Sequence, residues 1–490
     1  MIDLTVARIA EIVGGALADI SPQQAENLHV TGTVEFDSRA VTPGGLFLAL
    51  PGARADGHDF AAQAVADGAV AVLAARPVGV PAIVVPPVEA ADARAGVLEH
   101  DADGSGAAVL AALARLAAQV AAELAASGLR IIGITGSSGK TSTKDLVAAV
   151  LRPLGEVVAP PGSFNNELGH PWTVLRATGD TDFLVLEMSA RHPGNITALA
   201  RIATPSIAVV LNVGTAHLGE FGSREVIAQT KGELVEALPA SGVAILNADD
   251  PVVAAMAART SARVVTVGRG PSAQVRAQDV TLDELARPAF ILVTPAGRVP
   301  VALAVHGEHQ VSNALCAAAV ALECGASLEQ VAVALAGAAP ASRHRMEVHT
   351  TAGGVTVIND SYNANPDSMR AGLQALAVMA RSGPDPRRSW AVLGEMGELG
   401  PDSITEHDRI GRLAVRLDIS RLVVVGSGRP MSAMHQGAVM EGSWGSESIQ
   451  VPDADSALEL LRAELSPGDV VLVKASNAAG LGALAEALLS

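Results

Sequence analysis

Short apolar runs recur along the chain, and helical spacing of the apolar positions follows each of them. From about residue 128 the runs lie within LRIIGITG, DFLVLEMS, SIAVVLNVG and GVAILNAD. A strand that is apolar at every position is buried on both faces, and alternation of such strands with helices is typical of a parallel sheet. We therefore predict an α/β fold with a parallel sheet in this part of the chain.

The alternation is interrupted at LAGAAPASRHRME and restarts with GVTVIND, SWAVLGEM, RLVVVG and DVVLVKAS. These runs predict a second open sheet, doubly wound in the Rossmann-like manner. Earlier in the chain, β-rich runs such as GGLFLALPG mix with helical stretches such as DFAAQAVADGA. We predict three domains: a small N-terminal α/β domain of residues 1–105, a central domain of residues 106–340 and a C-terminal domain of residues 341–490.

Composition excludes several classes of protein. The 490 residues include 34 Lys and Arg against 51 Asp and Glu, a net charge of -17, which argues against a general nucleic-acid or membrane-surface binder. Cys316 and Cys324 have neither metal-ligand nor redox spacing, so we predict that both are small buried hydrophobic residues of a protein in a reducing compartment. The start MIDLTVARIAEIVGG lacks the features of a signal peptide, and we expect a cytoplasmic protein.

The longest apolar stretch, residues 107–126, contains Arg115, Gln119 and Glu123. Because these side chains would be costly inside a bilayer, we predict an Ala-rich amphipathic helix and no membrane insertion. Aromatic residues make up only 2% of the chain, so surfaces for stacking nucleic-acid bases are scarce.

A glycine-rich loop, IIGITGSSGKTSTKD from Ile131 to Asp145, joins a predicted strand to a predicted helix. Backbone N–H groups and a helix N-terminus would there face phosphate oxygens, with the positive charge of Lys140 beside them, and Thr141 would ligate Mg²⁺. The usual spacing requires glycine where this chain has Ile134. A glycine turn with a solvated lysine is the alternative, but the order of strand, loop and helix favours an ATP-binding enzyme.

Polar residues follow other predicted strands. Glu187 ends one strand and His217 follows another, so both are expected at the carboxyl edge of the sheet, where open α/β sheets bind ligands. A metal site is one interpretation of this pair, although a lone loop histidine is normally structural. Asn165 and Asn166 lie in SFNNELGHP, which taken alone is more often simply a turn.

The second sheet has a comparable edge. Asn359 and Asp360 end a strand and suit hydrogen bonds to a base or a ribose hydroxyl, while Asn363, Asn365 and Pro366 form a turn that leads into a helix. Polar loop ends and a helix cap are the alternative interpretation.

The loop GITGSSGKTSTKD resembles the variant found in the Mur ligase family, and further matches extend over nearly the whole chain. The stretch FDSRAVTPGGLFLALPGARADGHDF resembles a UDP-binding N-terminal domain of that family, and NDSYNANPDSM and AVLGEMGELGPDSITEH match its C-terminal half. The resemblance implies an ATP-dependent ligase with a UDP-binding domain, a central ATPase domain with the phosphate loop, and a Rossmann-like C-terminal domain.

The resemblance also implies roles for individual residues. It places Lys140, Lys231, His217 and Glu187 in catalysis, and Thr141, Glu187, His217 and a carbamylated Lys231 around Mg²⁺, with two ions expected. Lys231 lies in IAQTKGELVEAL, where an exposed lysine on a helix is the alternative. The remaining implied contacts are with ATP, from Gly136, Ser137, Ser138, Gly139, Lys140, Thr141, Ser142, His309, Asn313, Arg345, Asn359 and Asp360, and with the nucleotide-sugar substrate, from Ser38, Arg39, Asn165, Asn166, Ser189, Arg191 and Asn363.

Two departures from the family pattern stand out. Gln310 follows His309 where the family usually has asparagine, which puts one secondary contact in doubt. Ala475 and Asn477 stand where glycine and arginine are frequent, so Lys474 is only a weak candidate for a functional role.

Within the family, these motifs are most similar to those of the ligase that joins D-alanyl-D-alanine to UDP-N-acetylmuramoyl-tripeptide through an acyl phosphate. That activity would be a step of peptidoglycan precursor synthesis, and we expect a monomer. Two alternatives remain open: a relative that adds a single amino acid to UDP-N-acetylmuramoyl-dipeptide, and a protein that binds both ligands without turnover.

Overall fold

The computed structural model describes residues 1–53, 55–88, 98–214, 218–383, 385–442 and 447–489. The chain forms two compact units. The first consists of Met1–Gly133, Gly155–Ser189 and Ile196–Ile207, and the second of Ile134–Leu154, Ala190–Asn195 and Ala208–Ser490.

The first part of the chain forms two small sheets in the first unit. Its strands are β1 Leu4–Thr5, β2 Ala16–Ala18, β3 His29–Val30, β4 Val34–Glu35, β5 Gly45–Leu48, β6 Ala69–Ala74 and β7 Ala82–Val84, and its helices are α1 Val6–Val13, α2 Pro22–Asn27 and α3 Ala61–Ala66. Strands β4 to β7 are parallel neighbours, and β2 pairs antiparallel with β7. Strands β1 and β3 form an antiparallel pair.

The middle of the chain contributes one large sheet and its covering helices. The strands are β8 Arg130–Thr135, β9 Val157–Val158, β10 Phe183–Glu187, β11 Ile207–Val210, β12 Val243–Asn247, β13 Arg263–Gly268, β14 Val275–Leu282, β15 Pro288–Thr294 and β16 Gly297–Ala302. The helices are α4 Ser105–Ala126, α5 Lys140–Leu151, α6 Gly169–Val174, α7 Asn195–Ile202, α8 Leu218–Phe221, α9 Arg224–Glu236, α10 Pro251–Ala254, α11 Gln310–Glu323 and α12 Leu328–Gly337.

Strand order in this sheet follows the predicted alternation only in part. The order is β8-β10-β9 on one side of β8 and β8-β11-β12-β13-β14-β15-β16 on the other. Strands β12, β13 and β14 are parallel, but of these three only β12 lies in one of the predicted apolar runs. Strands β14, β15 and β16 instead form an antiparallel meander, which the sequence analysis missed.

The C-terminal part of the second unit is a doubly wound sheet. Its strands are β17 Glu347–Thr350, β18 Thr356–Asn359, β19 Ser389–Leu393, β20 Arg421–Val425, β21 Ser448–Val451 and β22 Val470–Lys474, and its helices are α13 Pro366–Arg381, α14 Ser403–Arg416, α15 Arg429–Glu441, α16 Ala454–Glu464 and α17 Gly482–Leu489.

The sheet order is β17-β18-β22-β19-β20-β21, with every neighbouring pair parallel except β17 and β18. Separate hydrophobic cores lie on the two faces, one built with α13, α14 and α15 and the other with α16 and α17. The Rossmann-like arrangement predicted for this part of the chain is thus confirmed.

Helix α4 is the predicted Ala-rich helix. Among the described residues it is the one helix long and apolar enough to cross a membrane, and 61% of its most apolar stretch is buried within the protein. It packs against α1 and α6 in the first unit. Burial of this kind is expected of a core helix, so its composition is weak support for a membrane span.

Candidate active site

The phosphate-binding loop predicted from the sequence lies between β8 and α5. Gly139 is the N-cap of α5 and has φ of +81°, a conformation that glycine adopts without steric cost. A Cβ at this position would lie 2.7 Å from Oδ1 of Asn313, a buried residue of α11. Because the cap residue has no side chain, the start of α5 can approach an anion closely.

A residue that the sequence analysis missed holds this loop in place. The side-chain Oδ1 of Asn212, just after β11, accepts hydrogen bonds from the backbone N–H groups of Ser137 at 3.0 Å and Ser138 at 2.9 Å. The Asn212 Nδ2 donates to the carbonyl of Ser138 at 3.1 Å. These two serine amides are thus engaged within the protein, and phosphate contacts would come mainly from the start of α5.

The charged side chain of the loop folds over it. Nζ of Lys140 donates to the carbonyl oxygen of Gly136 at 2.8 Å. Thr141 is buried, and its hydroxyl accepts a hydrogen bond from Nη2 of Arg345 at 3.3 Å. The structure therefore brings together Lys140, Thr141 and Arg345, three residues predicted to contact ATP.

Lys231 is buried on α9, with only 2% of its surface exposed. The interpretation of this lysine as an exposed helix residue is therefore wrong. Burial lowers the pKa of its ammonium group well below the ordinary value, and the nearby positive charge of Lys140 acts in the same direction. A neutral amine is the form that can react with CO₂, so this environment meets the condition that carbamylation requires.

Glu187 is the last residue of β10 and is buried, at the carboxyl edge where it was predicted. Nδ2 of Asn165 donates to Oε1 of Glu187 at 2.6 Å, and the hydroxyl of Ser189 donates to Oδ1 of Asn165 at 2.9 Å. These three predicted residues form one hydrogen-bonded chain in the first unit. Asn166 lies apart from it, since its Oδ1 accepts from the backbone N–H of Gly169 at 2.9 Å and closes a turn.

The predicted metal ligands can be examined in part, because His217 lies outside the described residues. Among the described residues, no three His, Cys, Asp or Glu side chains converge on one point. Glu187 and Thr141 offer the oxygen ligands that Mg²⁺ prefers. Lys231 as an ammonium would repel a cation, so it fits such a site only as the carbamate.

The side chains predicted to surround adenosine cluster in the second unit. Asp360 is held by the buried Lys474, whose Nζ donates to Oδ2 of Asp360 at 2.5 Å and to the carbonyl of Asn363 at 3.0 Å. Burial lowers the pKa of the His309 imidazole, while the Asp360 carboxylate opposes that shift. Arg345 lies over the Tyr362 ring at 4.2 Å, a contact that the sequence analysis did not anticipate.

Asn359 and Asn313 are buried and hydrogen-bonded. Oδ1 of Asn359 accepts from the hydroxyl of Ser361 at 2.6 Å, and Nδ2 of Asn313 donates to Oε1 of Gln310 at 2.9 Å. Gln310 therefore supports Asn313, although it departs from the family pattern. Next to these residues, a cleft is lined by Ser142, Asp145, Val305, His306, Gln310 and Arg345.

Three further predicted substrate contacts, Ser38, Arg39 and Arg191, lie in turns and bends outside the long helices and strands. Arg39 is largely exposed and donates from Nη2 to Oδ2 of Asp37 at 2.7 Å, and Asp37 caps the short helical turn that contains Ser38. The hydrogen bonds from Arg39 lower the pKa of the Asp37 carboxyl to about 2. In the second unit, Nη2 of Arg191 donates to Oε1 of Glu398 at 3.0 Å.

Family models match three consecutive segments of the chain. Residues 31–121 match the Mur ligase family catalytic domain, residues 134–321 the Mur ligase middle domain, and residues 344–477 the Mur ligase glutamate ligase domain.

Named relatives match along almost the full length. The UDP-N-acetylmuramoyl-tripeptide--D-alanyl-D-alanine ligase of Mycobacterium tuberculosis strain H37Rv is 73% identical, over 100% of this chain and 98% of that protein. The Escherichia coli K12 ligase of the same name is 35% identical over 87% of this chain and 86% of its own length.

Solved structures show the same fold. MurF from Acinetobacter baumannii superposes with a TM-score of 0.82 at 32% identity, covering 99% of both chains. MurF from Thermotoga maritima in complex with ADP superposes with a TM-score of 0.74 at 28% identity, over 93% of this chain and 97% of that one. The family models, the identity to these relatives and the shared three-domain α/β fold show that the chain belongs to the Mur ligase family.

Proposed function

We propose that this protein is an ATP-dependent ligase that joins D-alanyl-D-alanine to UDP-N-acetylmuramoyl-tripeptide in peptidoglycan precursor synthesis. One observation carries the choice of substrates: 73% identity over the whole chain to a ligase of that name. A relative that adds a single amino acid is not favoured, because a diaminopimelate ligase structure superposes with a TM-score of only 0.50 at 22% identity.

ATP would bind at the start of α5. The glycine cap and the Lys140 ammonium support an assignment of this loop to the nucleotide phosphates. Gly136, Ser137, Ser138, Gly139 and Ser142 would shape that loop, and Thr141 would ligate Mg²⁺. The ADP complex of the Thermotoga maritima relative supports nucleotide binding. His309, Asn313, Arg345, Asn359 and Asp360 would surround adenosine.

In the first step, an oxygen of the tripeptide carboxylate attacks the γ-phosphorus of ATP, and ADP leaves. The product of this step is an acyl phosphate. Lys140 would offset the negative charge that two anionic reactants bring together, mostly by positioning and electrostatics. Mg²⁺, when bound, supplies further positive charge at the phosphate oxygens, and Thr141, Glu187, His217 and a carbamylated Lys231 are its proposed ligands.

In the second step, the neutral amine of D-alanyl-D-alanine attacks the acyl carbon, phosphate leaves, and the nitrogen loses a proton. Ser38 and Arg39 would contact the uridine diphosphate. Asn165, Asn166, Ser189, Arg191 and Asn363 would contact the rest of the nucleotide-sugar substrate. The hydrogen bond from Asn165 to Glu187 adds a second role for Asn165, the orientation of a carboxylate.

We further propose a cytoplasmic monomer that takes only small-molecule substrates and neither binds nucleic acid nor inserts into a membrane. The net charge of -17 argues against nucleic-acid binding, and the burial of α4 argues against membrane insertion. The predicted boundaries after residues 105 and 340 remain our division of the three domains.

The test is phosphate release from ATP with Mg²⁺ and UDP-N-acetylmuramoyl-tripeptide, with and without D-alanyl-D-alanine, and mass spectrometry of the product. We expect phosphate release that depends on D-alanyl-D-alanine, and a product heavier than UDP-N-acetylmuramoyl-tripeptide by two alanine residues. Amide formation from the UDP-dipeptide and a free amino acid would assign the alternative activity. A protein that binds both substrates without releasing phosphate would contradict the proposal.

A further inference from the structure

A loop of the C-terminal part of the second unit contacts residues of the middle part of the chain. This Glu398 loop, residues 394–400, follows β19 and ends on Gly400, the first residue of the short helical turn Gly400–Asp402 that precedes α14. Nη2 of Arg191 donates to Oε1 of Glu398 at 3.0 Å. The backbone N–H of Gly219, on α8, donates to the carbonyl oxygen of Glu398 at 3.2 Å. One glutamate therefore binds two separate segments through its side chain and its backbone.

The contact depends on a pair of glycines. A Cβ on Gly219 would lie 2.6 Å from the backbone N of Gly400, and a Cβ on Gly400 would lie 2.7 Å from Cα of Gly219. Both distances are shorter than real Cβ contacts, and the atoms involved are backbone atoms that cannot rotate away. The Glu398 loop can approach α8 this closely only because both positions lack a side chain.

The conformation of the loop is held from within the C-terminal part. Glu398 has φ of +62°, an unfavourable value for a residue with a side chain. Nε2 of the buried His407 accepts a hydrogen bond from the backbone N–H of Met396 at 2.9 Å. Burial lowers the pKa of His407, which keeps the ring neutral and able to accept this bond. Strained backbone of this kind persists where the surroundings determine it, and it concentrates at functional sites.

The ion pair itself contributes little to stability. The side chains of Arg191 and Glu398 are 43% and 34% exposed, and pairs in such positions are weak. What the pair does fix is the direction of the Arg191 guanidinium, a planar group whose remaining donors can bind an anion in two-point fashion. The substrate of the proposed reaction is anionic, since it carries a diphosphate and carboxylates.

We propose that Glu398 is a positioning residue that orients Arg191 for an anionic group of UDP-N-acetylmuramoyl-tripeptide. This inference rests on the proposed function of the protein. Glu398 acts through Arg191, and the glycine pair allows the loop that carries Glu398 to reach it. The role belongs to substrate binding, because Arg191 is one of the residues proposed to contact the nucleotide-sugar substrate and its guanidinium is the group that Glu398 binds.

The test compares Glu398→Gln, Arg191→Ala and the double variant in steady-state kinetics with each substrate varied in turn. We expect Glu398→Gln to raise KM for UDP-N-acetylmuramoyl-tripeptide about tenfold and to leave KM for ATP unchanged. A tenfold effect lies within the range of interaction energies measured between residues in contact, here Glu398 and Arg191. The double variant should be no worse than Arg191→Ala alone. Additive effects of the two substitutions, or equal changes in both KM values, would overturn the proposal.

The glycine pair offers a matched comparison. Gly400→Ala should reproduce the rise in KM of Glu398→Gln, whereas Gly480→Ala should not. Gly400 has φ of +56°, and Gly480, in the same part of the chain, has a similar φ of +69°. No atom lies within 4 Å of the position that a Cβ on Gly480 would take. The control therefore carries the same backbone strain without the steric clash. Wild-type KM values in Gly400→Ala would refute the requirement for close approach.

A measurement that does not use activity completes the design. Hydrogen exchange at the Gly219 amide should be faster in Gly400→Ala than in the wild type, because the bond to Glu398 is lost. Unchanged exchange would contradict docking of the loop. Failure of the proposed function would appear differently, as a wild-type protein that forms no amide bond.

Discussion

Lys474 makes a buried ion pair whose removal has a calculable cost. Its side chain is only 1% exposed, and its ammonium donates to Oδ2 of Asp360 at 2.5 Å and to the carbonyl of Asn363 at 3.0 Å. Lys474→Met removes the cation and leaves the carboxylate of Asp360, whose side chain is 12% exposed, without this partner. Breaking one side of a buried pair costs about 3–5 kcal/mol, because a buried charge is left uncompensated.

Two further variants separate charge from packing. In the double variant Lys474→Met with Asp360→Asn, no uncompensated charge remains, and Asn can still accept the bond from the Met346 N–H. We expect this variant to lose less than about 2 kcal/mol, because only neutral hydrogen bonds are missing. Arg343→Met is the matched control, since it breaks an exposed pair with Glu486 in the same part of the chain and should cost less than about 1 kcal/mol.

The assay is hydrogen exchange of the amides in β18 and β22 as a function of denaturant, which reports the free energy of opening of this sheet. Binding of a non-hydrolysable ATP analogue to Lys474→Met, which keeps Asp360, shows whether the loop that carries Asp360 and Asn363 keeps its shape. The reasoning would be refuted if Lys474→Met lowered the free energy of opening by less than about 1 kcal/mol, or if the double variant were as unstable as Lys474→Met alone.

Three further outcomes are expected. Lys140→Ala should lower kcat for phosphate release by at least about a hundredfold, because one preorganised charge at the phosphates is lost, while thermal unfolding stays close to wild type. Lys231→Ala should be similarly inactive, and recovery of activity with added short carboxylates, absent in Lys140→Ala, would support the carbamate. His170 is fully buried, and burial lowers its pKa from 6.5 to about 4. In the unfolded chain His170 binds a proton more tightly than in the folded protein, so the free energy of unfolding should fall by about 3 kcal/mol as the pH drops from 6.5 to 4. Well above pH 6.5 His170 is neutral in both states and should contribute no pH dependence. Urea unfolding of His170→Gln against wild type across that range tests this, and equal pH dependence in the two proteins would contradict it.

The fold could be predicted where a strand contains a continuous apolar run. The runs that became β8, β10, β11 and β12, and β18, β19, β20 and β22 of the doubly wound sheet, are of this kind, whereas β17 and β21 were not predicted. Strand β15 was missed although its buried and partly buried residues alternate from Pro288 to Thr294, the pattern of a strand with one covered face. The signal was present there but was weaker than the parallel pattern beside it.

The candidate site could be predicted from the sequence only for residues within recognisable motifs. Lys140 and Thr141 are predicted from a glycine-rich loop between a strand and a helix, although the spacing of the glycines departs from the usual motif at Ile134. The burial of Lys231 could not be read from α9, because a lysine on an amphipathic helix is usually exposed and only tertiary packing decides otherwise. Asn212 and Tyr362 act through partners distant in the sequence, and no local pattern points to such contacts.

The hold of Asn212 on the phosphate-binding loop has a consequence for the thermodynamics of nucleotide binding. A glycine-rich segment loses much conformational entropy when it becomes ordered. Here two of its amides are already fixed by the side chain of Asn212, which follows β11, so this part of the loop is ordered when the protein folds. Nucleotide binding at this loop, as proposed, would then be spared that ordering cost.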